Sequence, residues 1–260
     1  MIKNSDFFVW GLFLSLLILL VPYVIASIPQ GVDPEEGNST RPPIQDPQSV
    51  EAQAGNVTEL NINGFATTKT WQGYFGNVSG TIRLADASSN IMYNWTQANP
   101  RGQVYATTND TILWENIQCF NLTASGTFGA EPPQEPGVGK VNLNGLNYTQ
   151  LHDMFNIPAY AADGVNNTFI SEDHDVFYTA SLQFNSICPT AKLFTSVPGE
   201  VFQNVLLYEP ISRSVIFTAL LEVQKLGFDN RSHDFQMIVL DDGREVDIDT
   251  TTYYFFVEIE

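Results

Sequence analysis

The feature that most constrains this 260-residue chain is an uncharged apolar run from Phe7 to Ala26. Only Gly11, Ser15 and Pro22 interrupt its apolar and aromatic residues. A helix that spans a lipid bilayer needs about 20 mostly apolar residues, and this run has that length. Because the run is apolar on every face of a helix, it does not indicate an amphipathic core helix. It therefore predicts that the following residues are exported.

Two interpretations of this run remain open, a retained anchor and a cleaved signal peptide. Lys3 gives the start a weak positive charge, and Ala26 before Ser27 fits a cleavage site. The run is longer than the apolar core of about 7–15 residues that is typical of signal peptides. We favour a single transmembrane helix over residues 7–26, with the positive end inside and the body facing outward. Cleavage near Ala26 would instead give a secreted protein.

The charge balance excludes several classes of partner. The chain has 29 acidic and 11 basic residues, a net charge of −18. Such a chain repels nucleic acid and anionic lipid surfaces, so neither is expected to bind. Charged residues are only 15% of the chain, so an acidic disordered tail does not explain the imbalance.

Composition divides the chain into three parts. Residues 1–27 form the anchor or signal segment, and residues 28–55 form a proline-rich linker without an apolar period. Residues 56–260 are predicted to form an extracellular β-rich domain, large enough to bury a core. The proline-rich stretch at 131–139 is either a boundary between two β-subdomains or a long surface loop.

Alternating apolar and polar residues predict the secondary structure beyond the linker. The pattern indicates a strand at 58–62, a hairpin at 78–96 and a central strand at 215–221, where both faces are apolar. One short helical pattern covers residues 148–156. The fold class is therefore predicted as mainly β. We expect an antiparallel β-sandwich, one large unit or two packed β-subdomains, after a single N-terminal helix.

The second strand of the predicted hairpin is rich in large side chains. Ile91, Tyr93 and Trp95 alternate with more polar residues. Strand aromatics in such a pattern more often belong to a core than to a sugar-stacking surface, so we expect these side chains to be buried.

The chain has two cysteines, Cys119 and Cys188. In an exported protein an even pair most simply forms a disulfide. Closing a loop of this size would stabilise the fold by roughly 4 kcal/mol in the loop-entropy description. We therefore predict one disulfide bond.

N-glycosylation sequons are unusually frequent. Chance predicts roughly three in a chain of this composition, against nine in this sequence. Spread over an exported body, they predict a glycoprotein, although not every sequon need carry a sugar. The nine acceptor residues are Asn38, Asn56, Asn77, Asn94, Asn109, Asn121, Asn147, Asn166 and Asn230.

Two patches of sequence resemble a family of archaeal cell-surface proteins that are N-terminally anchored and β-rich. The first patch comprises Thr70–Gly80, Leu84–Ala87 and Tyr93–Trp95, and the second comprises Asp234–Val239 and Tyr253–Glu258. The resemblance implies an exported β-rich chain held at an archaeal envelope. It implies no catalytic residue.

The sequence contains no recognised catalytic motif. The three histidines are far apart in sequence and no G-x-S-x-G elbow is present, so we assign no catalytic residue. Asp241, Asp242, Asp247 and Asp249 form a carboxylate-rich loop that could bind calcium, although it lacks the regular EF-hand spacing. Residues 172–175 are a second candidate for calcium. A solvated acidic loop is the favoured interpretation of both, and no other cofactor is expected.

These observations favour a structural, adhesive or recognition role at the cell surface, with other envelope proteins or glycans as partners. The alternative is a secreted hydrolase or carbohydrate-active protein. That alternative requires a pocket with two carboxylates about 5–10 Å apart, beside exposed aromatic side chains.

Overall fold

The computed structural model describes residues 28–98, 100–122, 140–141, 146–243 and 250–259. Within these ranges the chain is mainly β with antiparallel sheets, as predicted. The strands are β1 Gln30–Gly31, β2 Trp71–Gly76, β3 Gly80–Ala85, β4 Ile91–Gln97, β5 Gly102–Thr107, β6 Gln118–Cys119, β7 Lys140–Val141, β8 Phe177–Thr179, β9 Leu182–Phe184, β10 Thr190–Phe194, β11 Val201–Glu209, β12 Ser214–Leu220, β13 Lys225–Leu226, β14 Ser232–His233, β15 Phe235–Leu240 and β16 Tyr254–Ile259. The helices are α1 Tyr148–Met154, α2 Val165–Thr168 and a 3-10 turn at Trp114–Asn116.

Three sequence predictions fall outside these ranges. They are the N-terminal apolar segment at 7–26, the proline-rich break at 131–139, and the calcium candidates Asp247 and Asp249. In the part of the chain that the structure describes, no helix has the length and apolar character needed to cross a membrane.

An eight-stranded sheet forms the centre of the fold. Its order is β1-β16-β5-β12-β11-β6-β7, and β10 pairs with β11 beside β6. All its pairs are antiparallel except β6 with β7. β12 lies between β5 and β11, and all seven of its residues are buried. The prediction of a central strand at 215–221 is therefore confirmed.

Both faces of this sheet are covered. Phe217 and Leu206 belong to a core on one face, together with Leu151 of α1. Ile216 and Leu207, each next to one of these residues in its strand, belong to a second core on the other face. Because strand side chains alternate between faces, the apolar run of β12 supplies both cores.

A separate ribbon of β2 and β15 packs against β11 and β12. Asn204 of β11 joins the two layers through its buried side-chain amide. Its Nδ2 donates to the carbonyl of Gln236 at 2.7 Å, and its Oδ1 accepts from the backbone N–H of Ile238 at 2.9 Å. The amide thereby satisfies the edge of β15 that β2 leaves unpaired. The finer prediction of a β-sandwich stays a prediction.

α1 confirms the one predicted helix and shows why it begins where it does. The side chain of Asn147 accepts from the backbone N–H of Gln150 at 3.0 Å, and Gln150 Oε1 accepts from the backbone N–H of Asn147 at 3.1 Å. This reciprocal capping box satisfies two of the free N–H groups of the first turn. Leu151 of the helix is buried in the core with residues of the central sheet, and the buried His152 accepts through Nε2 from the backbone N–H of Val165 in α2 at 3.0 Å.

The strand predicted at 58–62 does not form. Residues 32–69 contain no helix and, after Val32, no sheet pairing, and Leu60 and Ile62 are exposed. Five alternating residues without a partner strand do not offset the conformational entropy that a strand loses. The predicted linker also contains one short strand that its composition did not indicate. This strand, β1, pairs with β16.

Candidate functional site

The hairpin of β3 and β4 is the candidate site, because large apolar side chains are exposed on it. Its register places Ile82 opposite Trp95 and Leu84 opposite Tyr93. Residues two apart in a strand share a face, so these four side chains form one surface, called here the apolar face. Their exposed fractions are 40, 50, 50 and 59% in that order. In the described ranges β3 and β4 pair only with each other.

The aromatic pair occupies half of the apolar face. The ring centroids of Tyr93 and Trp95 are 4.9 Å apart, with the planes inclined at 64°. This edge-on contact fixes the two rings relative to each other without burying either one. The apolar face therefore presents a preformed aromatic surface to whatever lies beside it.

A tight turn holds the tip of the hairpin in shape. Asp86 Oδ1 accepts from the backbone N–H groups of Ser88 at 2.9 Å and Asn90 at 2.8 Å, and Oδ2 accepts from Asn90 Nδ2 at 2.9 Å. These hydrogen bonds, that of the Asn90 side chain first, lower the pKa of Asp86. Ser89 has a φ of 65°, as such a turn requires. The predicted hairpin at 78–96 is confirmed.

The opposite face of the hairpin is mostly polar. Thr81 pairs with Thr96 and Arg83 pairs with Asn94, and all four residues are exposed. Asn94 is the acceptor of a sequon, so a sugar there would project from the face opposite the aromatic rings. The hairpin therefore has two chemically different sides.

The root of the hairpin lies beside the end of β16. A Cβ placed on Gly80 would meet Ile259 Cδ1 at 2.2 Å, so the isoleucine occupies the space over the glycine. Gly80 is two residues from Ile82 in β3, so a side chain at position 80 would lie on the apolar face. Gln30 of β1 pairs with Val257, which is two residues before Ile259 in β16. β1 and the root of the hairpin therefore both lie beside the last residues of β16.

The expectation that Ile91, Tyr93 and Trp95 are core residues is wrong. All three are exposed, with Tyr93 and Trp95 on the apolar face. Alternation is the pattern of any strand with one apolar face. It does not distinguish a face that packs on the core from one that, as here, no described part of the chain covers.

A groove of about 740 Å³ lies along the β2–β15 ribbon. Trp71, Tyr74 and Phe75 line it, together with residues 40–42 and 67–69. Among the described lining residues, Asp241 is the one carboxylate. The two-carboxylate arrangement that glycoside hydrolysis requires is therefore not found among these residues.

Asp241 has a structural role at the end of this groove. Its Oδ1 accepts from Thr251 Oγ1 at 2.9 Å, closing the loop between β15 and β16. Burial first, and then the Asp241 charge, raise the pKa of Tyr253, whose hydroxyl donates to the carbonyl of Leu240 at 2.8 Å. In the described ranges no group of three or more His, Cys, Asp or Glu residues could hold a metal ion. The calcium hypothesis for the 241–249 loop stays a prediction.

The acidic stretch at 172–175 is engaged within the protein. Asp173 pairs with Lys192 at 2.6 Å, and Asp175 Oδ2 accepts from Gln203 Nε2 at 3.0 Å. His174 Nε2 accepts from the backbone N–H groups of Ile187 and Cys188, each at 3.2 Å. Burial lowers the pKa of His174, which favours the neutral ring that can accept these bonds.

The Cys119–Cys188 disulfide is confirmed, with the two Cα atoms 4.9 Å apart. It joins β6 to the segment that leads into β10, and both cysteines are fully buried in the second core. The bond therefore ties together two segments that both lie against the β11 edge of the central sheet.

The sequons fall into three groups by exposure. Half-buried Asn109 donates from Nδ2 to Ser214 Oγ at 3.0 Å, and Asn166 is half-buried as well. Asn121 and Asn147 are buried, so the folded structure leaves little room for a sugar on either. The exposed acceptors are Asn38, Asn56, Asn77, Asn94 and Asn230. Glycosylation of these five remains a prediction.

A buried carboxylate was not identified from the sequence. Glu258 of β16 accepts from the backbone N–H of Ala180 at 3.1 Å and from the Tyr105 hydroxyl at 3.0 Å. Its burial could have been inferred from the strand alternation, because Glu258 is two residues from the buried Phe256 and lies on the same face of β16. Its partners come from β5 and the turn between β8 and β9, so it fastens that turn to the central sheet.

Comparisons with known protein families, with curated proteins and with solved structures found no match.

Proposed function

We propose that this chain is a glycosylated β-domain displayed on the outer face of a cell and retained there by residues 7–26. Its role is structural or adhesive: the domain makes a contact with a neighbouring surface of the envelope. The earlier resemblance to archaeal cell-surface proteins belongs to this proposal. The β2–β15 ribbon serves in it as the second layer of an incomplete β-sandwich.

The observation that carries this proposal is the apolar face of the hairpin. Soluble proteins seldom leave contiguous large apolar side chains in water, and where they do the patch commonly marks an interaction site. Ile82, Leu84, Tyr93 and Trp95 are aligned on a rigid ribbon with a fixed turn. A contact surface explains this arrangement, whereas a core role does not.

Two further observations support display outside the cell. The chain has two cysteines, and they are joined in a buried disulfide, a bond that persists in oxidising compartments. Five sequon asparagines are exposed in the folded protein. Both features suit an exported body.

The test is to label intact source cells with a membrane-impermeant amine reagent and to measure the intact mass of the native protein. We expect label on Lys192, whose side chain is partly exposed, and a mass that includes residues 1–27, sugars and the disulfide. Labelling that appears only after lysis would contradict outward display. A mass beginning at Ser27 would contradict retention by the apolar run.

The carbohydrate-active alternative is favoured by one observation, the exposed Tyr93–Trp95 pair, because aromatic rings can stack on sugars. A glycan-binding screen of the native protein and of Trp95→Ala tests it. Binding that Trp95→Ala abolishes would support this alternative, and an absence of hits for the native protein would remove it.

A further inference from the structure

We propose that the apolar face of the β3–β4 hairpin docks onto the lipid bilayer that holds residues 7–26, at the level of the headgroups. The hairpin thereby becomes a second, peripheral attachment that sets the orientation of the domain on the membrane. This inference rests on the proposed function, since it requires the chain to be tethered to that bilayer.

The apolar run that would tether the chain to the membrane ends close to the hairpin. The apolar run ends at Ala26, and Ile28 is the first described residue. Gln30 pairs with Val257 of β16, and two residues further along β16 the Ile259 side chain lies over Gly80 at the hairpin root. Because Gly80 points to the apolar face, the membrane segment would leave the folded domain directly beside that face.

A further argument is the chemistry of the surface. Trp and Tyr are the side chains enriched at membrane–water interfaces, where an apolar ring and a polar atom are both accommodated. On the apolar face they stand beside Ile82 and Leu84, and none of the four side chains carries a charge. With a net charge of −18, the chain favours zwitterionic over anionic lipid.

The hairpin has an apolar side and a polar side. Arg83 and the sequon residue Asn94 lie on the opposite face. A ribbon of six residues is about 20 Å long, so it can lie along the surface with its aromatic side down and its polar side in water. A sugar on Asn94 would then point away from the lipid.

The tether also favours lipid over other partners that could cover an apolar face. A bilayer joined to the chain two residues before Ile28 is present at high effective concentration, whereas a second copy or a foreign protein must be encountered by diffusion. Each of the four side chains therefore needs to contribute only a modest contact for the hairpin to stay docked.

The experiment uses the full chain in nanodiscs of phosphatidylcholine, loaded at one chain per disc. Hydroxyl-radical footprinting measures the oxidation rate of Tyr93 against that of Tyr160, which is on a different part of the chain. Their exposed fractions are 59% and 90%, so an undocked hairpin predicts a rate ratio of about two thirds. Docking predicts a ratio below about one tenth, together with crosslinks from a photoactivatable phosphatidylcholine to residues 91–97.

The variants test the side of the hairpin that is used. Ile82→Ser with Leu84→Ser should return the Tyr93 ratio to about two thirds, whereas the matched control Thr81→Ser with Arg83→Ser, on the other face of the same strand, should keep it below about one tenth. If the first variant fails to fold, the native ratio and the crosslinks still decide. A native ratio near two thirds overturns the inference.

Two other outcomes also overturn it. Protection of Tyr93 without lipid crosslinks would mean that protein covers the apolar face. Protection that appears only when two chains share a disc would identify a second copy as the occupant. Failure of docking leaves the labelling of intact cells unchanged, so it is distinguishable from failure of the proposed function.

Discussion

Replacing Asn204 by alanine should weaken the attachment of the β2–β15 ribbon to the central sheet. The substitution removes the donor to the Gln236 carbonyl and the acceptor of the Ile238 N–H. The Gln236 carbonyl then loses its partner at a buried position, which costs about 1–3 kcal/mol, and the Ile238 N–H loses its partner at a half-buried position, which costs about 1 kcal/mol. We expect Asn204→Ala to lower the free energy of unfolding by about 2–4 kcal/mol, measured by urea unfolding with tryptophan fluorescence.

Gln203→Ala is a matched control on the neighbouring residue. Gln203 also makes two hydrogen bonds, both to Asp175, but these lie at the surface, where water replaces them. We expect a loss below about 1 kcal/mol. At a slope of about 1–3 kcal/mol per molar urea, the two unfolding midpoints should differ by about 1 M. Equal midpoints for the two variants would refute the view that the buried amide holds the ribbon in place.

Three further predictions address other parts of the fold. Burial lowers the pKa of His174 from 6.5, so below about pH 6.5 the unfolded state binds a proton that the folded state does not, and the free energy of unfolding should fall on acidification. His174→Asn should flatten this pH dependence in a series of urea unfolding curves. An unchanged slope would contradict the view that His174 causes it. Replacing Cys119 and Cys188 together by serine should cost about 4 kcal/mol for a separation of 69 residues; guanidinium unfolding measures it, and an unchanged midpoint would show that the bond is energetically neutral. Gly102 has a φ of 131° and its Cβ would lie 2.0 Å from a backbone oxygen of β16, so Gly102→Ala should cost about 3 kcal/mol or more; a melting temperature equal to that of the native chain would contradict this.

The features that the sequence predicted correctly depend on short stretches of chain. The hairpin at 78–96 follows from two alternating strands around turn-forming residues, and the strand at 215–221 follows from a run that is apolar on both faces. The helix at 148–156 follows from one apolar stripe. The disulfide needed only the cysteine count and the inference of export.

The features that it did not predict depend on contacts between distant segments. Alternation in β4 predicted a strand correctly, but Tyr93 is exposed because no second layer covers the apolar face in the described chain. The pairing of β1 with β16 joins residues more than 200 positions apart and involves only two residues of β1. Such a short stretch inside a proline-rich segment carries no periodic signal.

The position of β16 has a consequence for the order in which the protein can be built. β16 lies between β1 and β5 in the central sheet, although it follows both in the sequence. Residues 254–259 must therefore be synthesised before the sheet can close and before Glu258 can reach Tyr105. Until then β5 has an unpaired edge, so we expect the central sheet to close only when residues 254–259 are available to pair with it.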